Sequence, residues 1–211
     1  MAVTGLILIG FLLMHMFGNL KIFIGAEAYD YYANYLKQDL LYPVLPHGWF
    51  IWLFRVFLVA CAVIHIYCAY RLWRASVRGR GAKYVKVHRR ERTYSAATMR
   101  VGGVLLLLLL VFHLLMFTTN SIQIGWGGVV EPYTMFMGAF SHWWVVVIYL
   151  AFMVVVCLHI RHGFWSAFTT LGANIGPNSR IALNALAYFV AALLFVGFLL
   201  PPVATLFGWV S

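Results

Sequence analysis

Five long apolar stretches alternate with short polar ones along the chain, at residues 2–24, 49–73, 100–118, 142–168 and 180–200. Each supplies about 20 mostly apolar residues, the number a helix rising 1.5 Å per residue needs to cross the hydrocarbon core of a bilayer. The pattern predicts an all-α fold, an integral membrane bundle of five transmembrane helices made by residues 1–211 as a single domain. The first stretch has no cationic leader and no small-residue cleavage pattern ahead of a polar body, so it reads as a span and not as a removed signal. The last is expected to stop at Pro201 and Pro202, because proline lacks the N–H that continues a helix and its ring collides with the preceding turn. Between the first two spans, GAEAYDYYANYLK interleaves aromatics with charges and reads as a short helix lying at the head groups.

Composition agrees with the pattern: 64% of the 211 residues are hydrophobic and 9% charged, far from the balance of a soluble domain. Charge adds an orientation. Ten of the fifteen Lys and Arg residues fall in RLWRASVRGRGAKYVKVHRRERTYSAATMR, residues 71–100, with Glu91 the only acid among them. Short loops rich in Lys and Arg stay in the cytoplasm. Arg161 and Arg180 mark the same side, while the other connections hold Lys21 and Lys37 against Glu27, Asp30, Asp39 and Glu131. The N-terminus is therefore expected to be cytoplasmic and Ser211 outside. Orientation, anionic lipid head groups and a docking cytoplasmic protein account for the basic run, so it requires no nucleic acid. Cys61, Cys68 and Cys157 all fall inside spans, which argues against a secreted disulfide framework. No repeat, long linker or second domain is visible.

Four of the eight histidines lie well inside spans, one on each of the first four: His15, His65, His113 and His159. Their separations are 50, 48 and 46 residues, close to one span plus one connection each time. Each sits in the C-terminal half of its own helix, and successive helices alternate in direction. His15 and His113 are thus expected in the outer leaflet, and His65 and His159 in the inner one, as two pairs stacked across the membrane. A polar ring in hydrocarbon needs a partner. Two neutral imidazoles facing each other across a bundle are the usual axial ligands of a six-coordinate b-type haem. No CxxCH occurs, which removes covalent c-type attachment. Two haems b, one per leaflet, would connect the two faces of the membrane. Gly5, Gly10, Gly18, Gly102, Gly103 and Gly163 offer places where a flat macrocycle or another helix can come close. Arg55, about 9 Å inside the second span, is read either as a snorkelling cation or as the partner of an outer-haem propionate.

The stretch GLILIGFLLMHMFGNLKIFIGAEAYDYYANYLK, with its His, its GN and its GAEAYxxYAxYL segment, resembles the start of the di-haem cytochrome b membrane anchor of succinate dehydrogenase and fumarate reductase. HIRHGFWSAFTTLGANIGPNSR is similar to the same family's end of the fourth helix, and the likeness covers essentially the whole chain. It implies a single-subunit anchor in a bacterial cytoplasmic membrane. The inner haem would then be held by His65 and His159 and the outer by His15 and His113. It further implies an iron–sulfur protein docked on the cytoplasmic face, a flavoprotein with covalent FAD that oxidises succinate, and menaquinone as the membrane substrate. One departure stands out: some family members carry a carboxylate beside the second inner ligand, whereas His159 is flanked by Cys157, Leu158 and Ile160, and no Asp or Glu falls in any predicted span. A carboxylate proton relay therefore has no residue to use.

For the quinone, Arg161, His162, Trp165 and Ser166 offer hydrogen-bond donors at the inner end, and Asn19, Lys21 and Gln123 are alternatives at the outer one. Other readings stay open from sequence alone. Cys61, His65 and Cys68 share a face of the second span at i, i+4 and i+7, and with Cys157 and His159 could form a Cys/His-ligated iron–sulfur cluster in place of the inner haem. A b-type anchor of another dehydrogenase, such as formate dehydrogenase or hydrogenase, would carry haem but different partners. A transport or proton-conducting protein would use the histidines as a relay and hold no iron, and in a purely structural anchor they would serve only as interhelical hydrogen bonds.

Overall fold

The computed structural model describes residues 1–79, 94–129 and 131–210. Among these residues the regular structure is entirely helical. The α-helices are α1 (Ala2–Leu20), α2 (Ala26–Asn34), α3 (Trp49–Arg78), α4 (Tyr94–Phe117), α5 (Pro132–Phe140), α6 (Trp143–Thr170) and α7 (Pro177–Leu206). Five are long and apolar enough to span a bilayer: α1 with its 3₁₀ extension to Ile24, α3, α4, α6 and α7. The protein is an all-α, multi-pass membrane bundle. The core of the basic run, residues 80–93, lies outside the described residues, as does Ser211; Arg71, Arg74 and Arg78 extend α3 beyond its apolar part.

α6 and α7 form the central antiparallel hairpin, α1 packs along both, α4 lies on α6, and α3 lies chiefly on α1. One apolar cluster joins Ile9 and Met16 of α1 to Met153, Val156, Ile160 and Phe164 of α6 and Ala187, Val190 and Leu194 of α7. Apolar surface by itself gives no preference for protein over lipid inside a bilayer, so close steric fit has to hold such helices together. Gly197 of α7 shows that fit: a Cβ there would collide with Met16 Sδ and Cγ on α1.

The end of the bundle where α1 begins is called proximal here, and the opposite end distal. α2 and α5 cover the distal end, with Phe136, Ala139 and Phe140 of α5 buried against Val145, Val146 and Tyr149 of α6. α2 is the short helix its aromatic and charged pattern predicts. α5 falls where no helix was expected. Its start is set by Pro132 at the first helical position and by Asp30 of α2, whose Oδ1 accepts the Tyr133 N–H at 2.8 Å. α2 is tied to α1 in turn by the Tyr29 hydroxyl, which donates to Asn19 Oδ1 at 3.3 Å. Burial, reinforced by the neighbouring Asp30 carboxylate, pushes the Tyr29 pKa well above the usual phenol value.

The expected stop at Pro201 and Pro202 is corrected by the structure: α7 runs through both to Leu206. The two prolines are buried, so packing in the bundle outweighs the helical bonds that their missing N–H groups cannot make. In a membrane bundle, neighbouring helices tolerate the lost bonds. The true terminator is Gly208, at φ 69°. Its N–H bonds to Thr205 O at 3.1 Å and that of Trp209 to Ala204 O at 2.8 Å, the pattern of a Schellman cap. Gly172 at φ 87° closes α6 in the same way, with Gly172 N–H to Thr169 O and Ala173 N–H to Phe168 O. The turn to α7 is completed by Ser179 Oγ, which accepts from Gly176 N–H at 3.0 Å and donates to Gly176 O at 2.9 Å.

Candidate functional site

The four intramembrane histidines meet two by two. His15 of α1 and His113 of α4 have ring centres 5.9 Å apart with planes at 84°. His65 of α3 and His159 of α6 have ring centres 6.3 Å apart with planes at 57°. Both pairs therefore span the bundle between helices that are not each other's main packing partners. Their levels are read from the neighbours. His65 lies beside Thr4 and Gly5 near the start of α1, whereas His15 is about three turns further along α1. His113 contacts Tyr149, ten residues before His159 on α6. At 1.5 Å per residue the two pairs are about 15 Å apart along the bundle axis, the His65/His159 pair proximal and the His15/His113 pair distal.

Each ring has a built surround. Phe11 stacks on His15 at 5.4 Å and Phe198 of α7 lies at 5.7 Å. His113 Nδ1 stands 3.1 Å from the Tyr149 hydroxyl, with Phe117 at 5.4 Å from its ring. On the proximal side, His65 Nδ1 is 3.3 Å from Thr4 Oγ1. His159 Nδ1 is buried and, among the described residues, has no hydrogen-bond partner.

The spacing can be compared with a haem iron held between two imidazoles. A metal–imidazole bond is about 2.0 Å long and the ring centre lies about 1.1 Å behind the nitrogen, so two axial rings have centres about 6 Å apart. Both observed separations match. Among the described residues no three His, Cys, Asp or Glu side chains gather into a metal-binding group. Each pair thus offers two donors alone, sufficient for an iron that arrives in a macrocycle with four nitrogens of its own. Glycine keeps space beside the proximal rings: a Cβ on Gly5 would stand 3.3 Å from His65 Cε1, and one on Gly103 3.8 Å from His159 Cε1. The unsatisfied His159 nitrogen, the glycine cradle and the ring spacing together fit the group.

The remaining candidates are distributed unevenly. Arg55 lies ten residues before His65 on α3, level with the distal pair, and its guanidinium rests over Trp52 at 4.9 Å. Arg161 sits over Tyr188 of α7 at 4.4 Å. His162 and Trp165 have ring centres 6.4 Å apart, and with Ser166 they occupy one face of α6 towards its proximal end. Thr169, one turn beyond Trp165, joins that face; Trp165 Nε1 and Thr169 Oγ1 are both buried with no hydrogen-bond partner among the described residues. Sequence reading passed over Thr169, although its i+4 spacing from Trp165 could have found it. It also passed over Thr4 and Tyr149, the hydroxyls that meet His65 and His113.

At the distal end the alternative donors have local partners. Asn19 holds Tyr29, Lys21 lies over Phe17 and Tyr32 at 5.1 and 4.7 Å, and Gln123 bonds to Asn120 and Gly128 of its own loop. Of the other glycines, Gly18 approaches Tyr32 and Gly102 approaches Val155, while Gly10 and Gly163 have nothing within 4 Å of an added Cβ. The cysteines do not gather round the proximal pair: Cys157 Sγ turns to α7 and donates to Ala191 O at 3.2 Å, while His159 on the same helix faces His65. Comparisons with family models, with curated proteins and with solved structures each find no match.

Proposed function

We propose that this chain is the membrane-anchor cytochrome b subunit of a succinate:quinone oxidoreductase, carrying electrons between an iron–sulfur protein and menaquinone through two haems b. The observation that carries the reading is the two imidazole pairs, with ring centres 5.9 and 6.3 Å apart, set about 15 Å apart along the bundle. The resemblance of the first and fourth spans to the di-haem anchors supplies the partners. In this reading the proximal end faces the cytoplasm of a bacterial cell, as the Lys and Arg distribution favours.

Haem supplies, when bound, a reversible one-electron couple at its iron. The chain's residues provide the rest. His65 and His159 would hold the proximal haem, and His15 and His113 the distal one. Phe11, Phe117 and Phe198 pack round the distal pair and keep water from it. Arg55, level with that pair, is the cation available to a propionate. The dehydrogenase chemistry belongs to a flavoprotein partner bearing FAD, docked through the iron–sulfur protein on the proximal face.

A quinone carbonyl accepts hydrogen bonds from donors in an apolar slot. The buried Trp165 Nε1 and Thr169 Oγ1 are donors of that kind, with Arg161, His162 and Ser166 beside them. Replacing both, Trp165→Phe with Thr169→Val, is expected to raise the KM for quinone and leave the haem content unchanged. Unaltered quinone kinetics would remove this subsite.

The whole assignment is tested by purifying the tagged chain from its own membrane. The expected result is co-purification of a flavin-bearing subunit and an iron–sulfur subunit, with b-type absorbance that succinate reduces. Partners that oxidise formate or hydrogen instead, or haem that succinate leaves oxidised, would overturn it.

A further inference from the structure

A hydroxyl stands beside Nδ1 of both His65 and His113, and at His65 proton counting shows which ring nitrogen stays free. A hydroxyl has one proton to donate and lone pairs to accept with. Thr4 Oγ1 donates to the Met1 carbonyl at 3.0 Å, so towards His65 Nδ1, 3.3 Å away, its oxygen can only accept. The proton between them sits on Nδ1. At the distal pair the Tyr149 hydroxyl stands 3.1 Å from His113 Nδ1, with Met116 Sδ, a weak acceptor, 4.0 Å away. A hydroxyl prefers an imidazole lone pair to a thioether, so at His113 it is a metal on Nε2 that would put the ring proton on Nδ1 and make Tyr149 the acceptor. At His65 the proton count alone places the hydrogen on Nδ1 and leaves Nε2 its lone pair.

The helices involved explain the use. α3 and α4 are the least buried spans and have the least packing with which to orient a side chain. α1 and α6, which pack on each other and on α7, supply the hydroxyls: Thr4 reaches across to α3 and Tyr149 to α4. We propose that Thr4 and Tyr149 are positioning residues that hold His65 and His113 in the Nδ1–H form, present Nε2 to a metal, and tune each site through the strength of that hydrogen bond. The tuning and the His113 tautomer rest on the haem reading above; the His65 tautomer does not. An acceptor on Nδ1–H makes the imidazole a stronger electron donor and favours oxidised iron. Removing it therefore raises the potential of the site it serves.

The experiment is a redox titration with low-spin electron paramagnetic resonance on the full-length haem-loaded protein, comparing Tyr149→Phe, Thr4→Val and Thr4→Ser. Tyr149→Phe is expected to raise the distal potential alone and Thr4→Val the proximal alone, while Thr4→Ser, which keeps the hydroxyl, leaves both in place. Unshifted potentials at full haem content, or a shift in Thr4→Ser as large as in Thr4→Val, would overturn the proposal. The Thr4 pair decides the matter should Tyr149→Phe fail to accumulate. If the protein as isolated holds no haem, the functional reading fails, and nitrogen-15 resonance of its histidines decides the proposal instead. An Nδ1–H form at His65 that Thr4→Val disturbs would support it; an Nε2–H form there would overturn it.

Discussion

Gly5 gives a graded test of the proximal site. A Cβ there would stand 3.3 Å from His65 Cε1, tighter than an ordinary contact by a few tenths of an ångström. Gly5→Ala also gains about 0.5–1 kcal/mol of helix propensity, so the small shift and the gain roughly cancel and both haems are expected to remain. Gly5→Val is different. Its two further methyl groups extend about 1.5 Å beyond the Cβ, into the ring or the space beside it, and overpacking of this kind costs about 1–3 kcal/mol. Charged against the proximal site alone, that is about 5- to 150-fold in haem affinity. Gly10→Val is the control, since nothing lies within 4 Å of its Cβ. Haem titration followed by absorbance, with paramagnetic resonance to distinguish the two sites, reads the outcome. A Gly5→Val protein that binds both haems with wild-type affinity, or loses the distal one first, would refute the reasoning.

Alanine at His15 or His113 is expected to remove the same haem, and at His65 or His159 the other, with each within-pair double variant no worse than its singles; haem counts per chain check this. Asp30→Ala removes the carboxylate that accepts the Tyr133 N–H and should cost about 1 kcal/mol, with Asp30→Asn milder, read from denaturation in detergent. Gly208→Val forces a β-branched residue to φ 69° and should cost about 1–2 kcal/mol, fraying the end of α7, which hydrogen exchange at Trp209 would detect.

The spans were legible because about 20 apolar residues in hydrocarbon can satisfy their backbone only as helix. The histidine pairing followed from the same logic: one ring per helix, each in the C-terminal half, with helices alternating in direction, places like levels together. Helix ends were less legible where tertiary packing decided them. Pro201 and Pro202 carry a local stop signal that burial in the bundle overrides, while the signal that operates, Gly208, lies seven residues beyond Pro201. α5 escaped because its start is capped from Asp30, about a hundred residues earlier in the chain. The partners of Cys157 and of the His65 and His113 Nδ1 atoms depend on side-chain direction across helices, which spacing along one helix does not encode; Thr4 and Tyr149 read as ordinary members of apolar runs until α3 and α4 are set beside them.

The most direct test of the account is the reduced-minus-oxidised spectrum of the purified chain with haem counted per polypeptide. Two haems b per chain, falling to one in His159→Ala and to one in His113→Ala with different paramagnetic signals lost, is the predicted result. A colourless, iron-free protein, or haem content untouched by either substitution, would contradict it.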